Sequence, residues 1–128
     1  MKKVYIFSII LISIVCILAI IPLLKQKECQ WREIKRYSGN KRIKDSIKTQ
    51  GYTIKVKWEW NCSHSIDLLP LIIYICDGNG RYGIIPKGNE TSGVQIIDKL
   101  YSQTLEIYID NVCSHVNYTV IIEEFVCR

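Results

Sequence analysis

Between Val4 and Leu24 the chain runs for 21 residues without a charged side chain, and no other feature limits its folding as strongly. As an α-helix rising about 1.5 Å per residue the stretch measures roughly 31 Å, close to a bilayer hydrocarbon core of about 30 Å. A buried core helix of that length needs a polar stripe. The polar side chains here, Tyr5, Ser8, Ser13 and Cys16, are too few to draw one. Residues 4–24 are therefore read as a transmembrane helix behind a short basic N-terminus, residues 1–3, that holds Lys2 and Lys3. A cleaved signal peptide, leaving a secreted protein, is the competing reading. Against it, the apolar run exceeds the usual about 7 to 15 residues, and Ile17 stands where a cleavage site after Ala19 wants a small residue. The expectation is a retained signal anchor in a single-pass membrane protein.

Beyond the helix the chain divides by charge. Residues 25–48 hold nine basic and three acidic residues, whereas 49–128 hold six basic and nine acidic, so the formal net charge of +5 is a local property. Residues 25–50 read as a basic juxtamembrane segment, either a solvated stalk or a surface for anionic headgroups or an acidic partner. Trp31 with Ile34, and Ile43 with Ile47, have helical spacing, with a break at Ser38-Gly39-Asn40; short helices and a strand both fit. Nucleic acid is not expected as a partner, because the basic stretch lacks the repeated aromatics of a stacking platform.

From Gly51 the hydrophobic period changes to two. Tyr52, Ile54, Val56, Trp58 and Trp60 alternate with Thr53, Lys55, Lys57 and Glu59, which predicts a half-buried strand. Leu68 to Cys76 is nearly all apolar and suits a strand buried on both faces, with Pro70 at its start. Asp77-Gly78-Asn79-Gly80 predicts a turn and Arg81 to Pro86 the return strand of a hairpin, followed by a polar loop over Lys87 to Gly93. Val94 to Ile97 predicts a short strand, Thr104 to Asp110 a clear one and Tyr118 to Val126 the last. The fold class expected is all-β: a small antiparallel β-sandwich or barrel of five to seven strands over residues 51–128, after one N-terminal transmembrane helix.

Five cysteines follow the helix, Cys29, Cys62, Cys76, Cys113 and Cys127, and all are disulfide candidates. Three acceptor triplets for N-glycosylation begin at Asn61, Asn89 and Asn117. The positive-inside rule alone would keep the domain in the cytoplasm, since the basic excess follows the helix. Disulfides and glycans both demand an oxidising, lumenal or external side, and that extracytoplasmic placement is the one adopted. A repeated tripeptide, Cys62-Ser63-His64 and Cys113-Ser114-His115, contains both histidines. Were the copies to meet, Cys62, His64, Cys113 and His115 would supply a Cys2His2 metal set, although the spacing matches no known finger. The simpler expectation is a Cys62 to Cys113 disulfide, with no metal and no cofactor. Five is odd, so one cysteine is left over, and a disulfide-linked homodimer through Cys29 or Cys127 is expected if those two do not bridge each other.

Enzyme readings find little support. The Cys-Ser-His segments lack a third group to orient the ring. Asp77-Gly78-Asn79-Gly80 starts like a calcium loop but places Gly88 where the bidentate Glu belongs. Glu123 and Glu124, adjacent on a strand, point to opposite faces. No catalytic or cofactor-binding residue is expected. The leading function is a non-enzymatic, membrane-anchored binding module with a protein partner; the alternatives are a structural component of a membrane or viral envelope assembly, and, last, a metal or thiol enzyme. The bias toward Ile, Lys and Tyr resembles that of small single-pass surface proteins of viruses and microbes with AT-rich genomes, a resemblance that covers no motif and assigns no residue.

Overall fold

A computed structural model describes residues 2–21, 27–63, 70–87, 89–111 and 115–128. The chain separates into two compact units, residues 1–28 with 127–128 and residues 29–126.

In the first unit, α1 spans Lys2–Ile20 and buries none of its residues. The hydroxyls of Ser8 and Ser13 donate to the carbonyls of Val4 and Ile9, 3.0 and 2.9 Å away. The helix thus satisfies these two hydroxyls itself, an arrangement compatible with hydrocarbon surroundings. It is long and apolar enough to cross a membrane, and a signal sequence would look the same. The expected span began two residues later and ran to Leu24; residues 22–26 lie outside the described residues.

The second unit is all-β. Its strands are β1 (Cys29–Gly39), β2 (Ile43–Lys48), β3 (Ile54–Cys62), β4 (Leu71–Cys76), β5 (Arg81–Ile84), β6 (Ser92–Ile97), β7 (Thr104–Asn111) and β8 (Val116–Cys127). They form two antiparallel four-stranded sheets, ordered β1-β8-β3-β6 and β2-β7-β4-β5. Each early strand pairs with its mirror in the late half: β1 with β8, β2 with β7, β3 with β6 and β4 with β5. The chain is therefore one long hairpin rolled on itself, which is the winding of an eight-stranded jelly roll. Among the described residues six strands lie within residues 51–128, as expected, and two more, β1 and β2, come from the stretch read as a juxtamembrane segment, one for each sheet.

Alternation places the core where the sequence suggested. Ile54, Val56 and Trp58 of β3, Leu105, Ile107 and Ile109 of β7, and Tyr118, Val120 and Ile122 of β8 are buried between the sheets with Leu71, Ile73 and Ile75 of β4. Tyr52 lies before β3 and is exposed. β4 is fully buried on one face only, since Ile72, Tyr74 and Cys76 are half-exposed. At the β4–β5 turn, Gly78 takes φ +87°, a region that suits glycine. Buried Asp77 accepts hydrogen bonds from the backbone N–H groups of Tyr101, Gly80 and Asn79. These, the Tyr101 bond first, hold its carboxyl below the ordinary value despite burial. The turn is a polar knot, which explains the residues that looked like the start of a calcium loop.

Candidate interaction edges

The strand order leaves two strands at each flank of the sandwich. β1 and β2 form one edge pair, linked between the sheets by the Tyr37 hydroxyl donating to Asp45 Oδ2 at 2.9 Å. Burial, then the Asp45 bond and charge, pushes the Tyr37 phenol far up, while the Tyr37 bond is the chief cause holding Asp45 below the usual carboxylate range. Further ties fix this flank. Arg32 reaches the buried Glu124 at 2.5 Å, and the second oxygen of Glu124 accepts the Gln50 N–H at 2.6 Å. Asn111 and Tyr118 donate to the carbonyls of Asn40 and Lys41 in the β1–β2 turn. Cys29 and Cys127 are joined by a disulfide between the start of β1 and the end of β8. The outer surface is cationic, with Lys35, Arg36, Lys41, Arg42, Lys44 and Lys48 against Glu33 and Asp45. Such charges keep an open strand edge from pairing with other chains.

The opposite flank, β6 with β5, keeps its polar ties at the β4–β5 turn and the β5–β6 connection and leaves the length of β6 bare. Ser92 to Ile97 contains no charged residue. Trp60 N–H donates to the Thr91 carbonyl at 2.9 Å, and the register pairs Trp58 with Gly93, Val56 with Gln95 and Ile54 with Ile97. Counting by twos, residues 93, 95 and 97 spend their backbone groups on β3, so Ser92, Val94 and Ile96 aim theirs at the open edge. Beside them Val94 is 60% exposed, Ile96 52% and Ile85 47%. A shallow groove of about 440 Å³ runs along this flank, lined by Trp58, Ile84, Ile85, Gly93, Val94 and Gln95 among others. Its floor is built by Gly93. A Cβ there would stand 2.2 Å from Cζ2 of Trp58, so the indole lies across the strand only because glycine occupies that position.

The outer faces of the sheets carry polar and aromatic rows. On the first sheet, Glu123 bridges Lys57 at 2.6 Å and Lys55 at 3.5 Å, and Lys55 sits 4.0 Å from the Trp31 ring centroid. Desolvation of Glu123 is outweighed by these lysines, Lys57 foremost, and its carboxyl titrates below its ordinary value. On the second sheet, Arg81 packs over Tyr74 at 3.6 Å and Lys44 over Tyr108 at 5.4 Å. The cations there are already engaged with rings.

The residues singled out in the sequence fall as follows. Cys29 and Cys127 bridge each other, which is the case the homodimer expectation set aside for these two cysteines. Cys76, on the outer face of β4, carries a thiol. Cys62 ends β3 opposite Val116, the residue after exposed His115. His64 and Cys113 lie outside the described residues, and with them both the Cys62 to Cys113 pairing and the Cys2His2 set. Asn61, Asn89 and Asn117 are all exposed. Sequence reasoning missed the β6 edge. Its signal was present in the uncharged run Ser92 to Ile97, which the expected polar loop partly absorbed.

No protein-family model matches the chain, and no curated protein matches it. Among solved structures, a de novo designed double-stranded β-helix determined by solution NMR is similar over 74% of this chain and 99% of its own length, with 14% identity and a TM-score of 0.36.

Proposed function

We propose that this is a non-enzymatic, single-pass membrane protein whose N-terminal helix anchors an extracytoplasmic β sandwich, and that the sandwich binds a protein partner by receiving an extended, uncharged strand along β6. The observation that carries the reading is the contrast of edges: one flank is charged and tied, whereas β6 offers the unspent backbone groups of Ser92, Val94 and Ile96 beside exposed apolar side chains. Strand addition draws affinity from main-chain hydrogen bonds and specificity from alternate side chains. Support for the non-enzymatic part comes from the kind of surface present, open edges and shallow grooves. The Cys29–Cys127 disulfide supports the external side, because such bonds persist in oxidising compartments.

The test uses the full-length chain in lipid nanodiscs. A fluorescent peptide of alternating Val and Ser should bind and raise anisotropy; Val94→Lys, which puts a charge on the edge, should weaken it at least about tenfold, and Lys44→Ala on the opposite flank should not. Equal binding by all three chains refutes the edge. Protease added to intact cells should remove the sandwich, and full protection refutes the external placement. A second reading, a structural component of a membrane or envelope assembly, is favoured by one feature: β6 is itself an uncharged extended strand, so a second copy suits the edge. A large homo-oligomer in mild detergent, dissolved by Val94→Lys, decides for it.

A further inference from the structure

We infer that Asn61 and Asn117, separate acceptor triplets in the sequence, form a single glycan-attachment site that carries one N-glycan per folded molecule and never two. This rests on the extracytoplasmic placement proposed above.

The register of β3 and β8 makes Asn61 and Asn117 direct partners. Phe125 N–H donates to the Thr53 carbonyl, which identifies the hydrogen-bonded pairs of this ladder. Counting by twos from Thr53 and Phe125 reaches Asn61 and Asn117, so the two exchange backbone bonds with Cα atoms about 5.5 Å apart. Both side chains leave the same outer face, in line with Glu59 and Thr119, and both are exposed. One shallow groove of about 330 Å³ lies against them, lined by both asparagines with Trp60, Thr91, Ser92 and Tyr118 among its walls. Two roots share one bed. A sugar linked to either amide and laid in the groove covers the other amide, and a branched glycan above it closes the remaining approach.

The transfer itself is ordinary. The Nδ2 amide displaces the diphosphate of a lipid-diphosphate-linked oligosaccharide: a bond forms between Nδ2 and the anomeric carbon, the carbon–oxygen bond to phosphate breaks, the lipid diphosphate leaves with that electron pair, and the amide gives up one proton. Each triplet brings its own hydroxyl, Ser63 for Asn61 and Thr119 for Asn117. Asn89 lies in the β5–β6 connection, outside the paired residues of β3 and β8, and its occupancy reports whether the chain reaches a glycosylating compartment.

The experiment expresses the full-length chain in cells that N-glycosylate, purifies it in detergent and reads occupancy per molecule by intact mass and glycopeptide mapping. Ser63→Thr improves the acceptor at Asn61 without touching either asparagine. Wild type and Ser63→Thr should each carry one glycan on the pair; Asn61→Gln should carry it at Asn117, and Ser63→Thr with Asn117→Gln should carry it at Asn61. Two glycans on the pair in one molecule, or a bare pair beside a glycosylated Asn89, overturns the inference. Chains bare at all three asparagines overturn the external placement as well, which separates the two failures.

Discussion

The two flanks of this sandwich each bring together one edge strand from each sheet yet are treated in opposite ways. The β1/β2 flank is closed by a disulfide, a buried carboxylate, a cross-sheet tyrosine and two donors to the turn carbonyls, then coated with cations. The β6/β5 flank carries no charge along β6 and leaves Val94, Ile96 and Ile85 in water. Exposed apolar residues scattered singly mean little. Gathered on an unpaired edge, while the other edge of the same sheets is guarded, they are the ground on which strand addition at β6 is proposed.

Several substitutions break or sharpen that contrast. The largest effect belongs to the tied flank: Cys29→Ser or Cys127→Ser opens a loop of about a hundred residues and should cost on the order of 4 kcal/mol, read as a lower denaturant midpoint. On the open flank, Gly93→Val should cost about 1 to 3 kcal/mol by driving Trp58 off its seat, with a change in tryptophan fluorescence. Acid should loosen the sandwich at three separate places. Asp45, Asp77 and Glu123 all titrate below their ordinary values in the folded chain, so their contribution is complete above the unfolded carboxylate range of about 4 and disappears as pH falls through the folded values. Urea midpoints should therefore drop between pH 5 and pH 2, and Asp45→Asn should flatten part of that slope. The smallest stability change is expected from Val94→Lys, within about 0.5 kcal/mol, so its loss of peptide binding reports on the edge alone.

Much of the fold is legible in the sequence, and the reasons for the exceptions are specific. β3, β7 and β8 alternate because one face of each meets the core, and period-two patterning registers that directly. β1 hides because its parity switches: Ile34 packs on the core and so does Tyr37, three residues on, while Trp31 turns outward against Phe125 at a 5.0 Å centroid separation. A strand with such a switch mimics helical spacing. Glu124 defeats patterning altogether, since its carboxylate occupies a core position by virtue of Arg32, ninety-two residues earlier. The pairing of Asn61 with Asn117 and the bareness of β6 depend on register and strand order, which no local window contains. The disulfide between Cys29 and Cys127 was one of several connectivities the cysteine count allows.

Rolling a single hairpin into this form has a cost during biosynthesis. β8, made after the seven other strands described, sits inside the first sheet between β1 and β3, so β1 has no strand neighbour until residues 116–127 emerge. Until then β3 also exposes a bare side to whatever else is in the compartment, and such late, long-range closure is slow. Loss of β8 thus removes the middle of a sheet rather than its fringe, and a nascent chain stalled before Val116 is the form most exposed to mispairing.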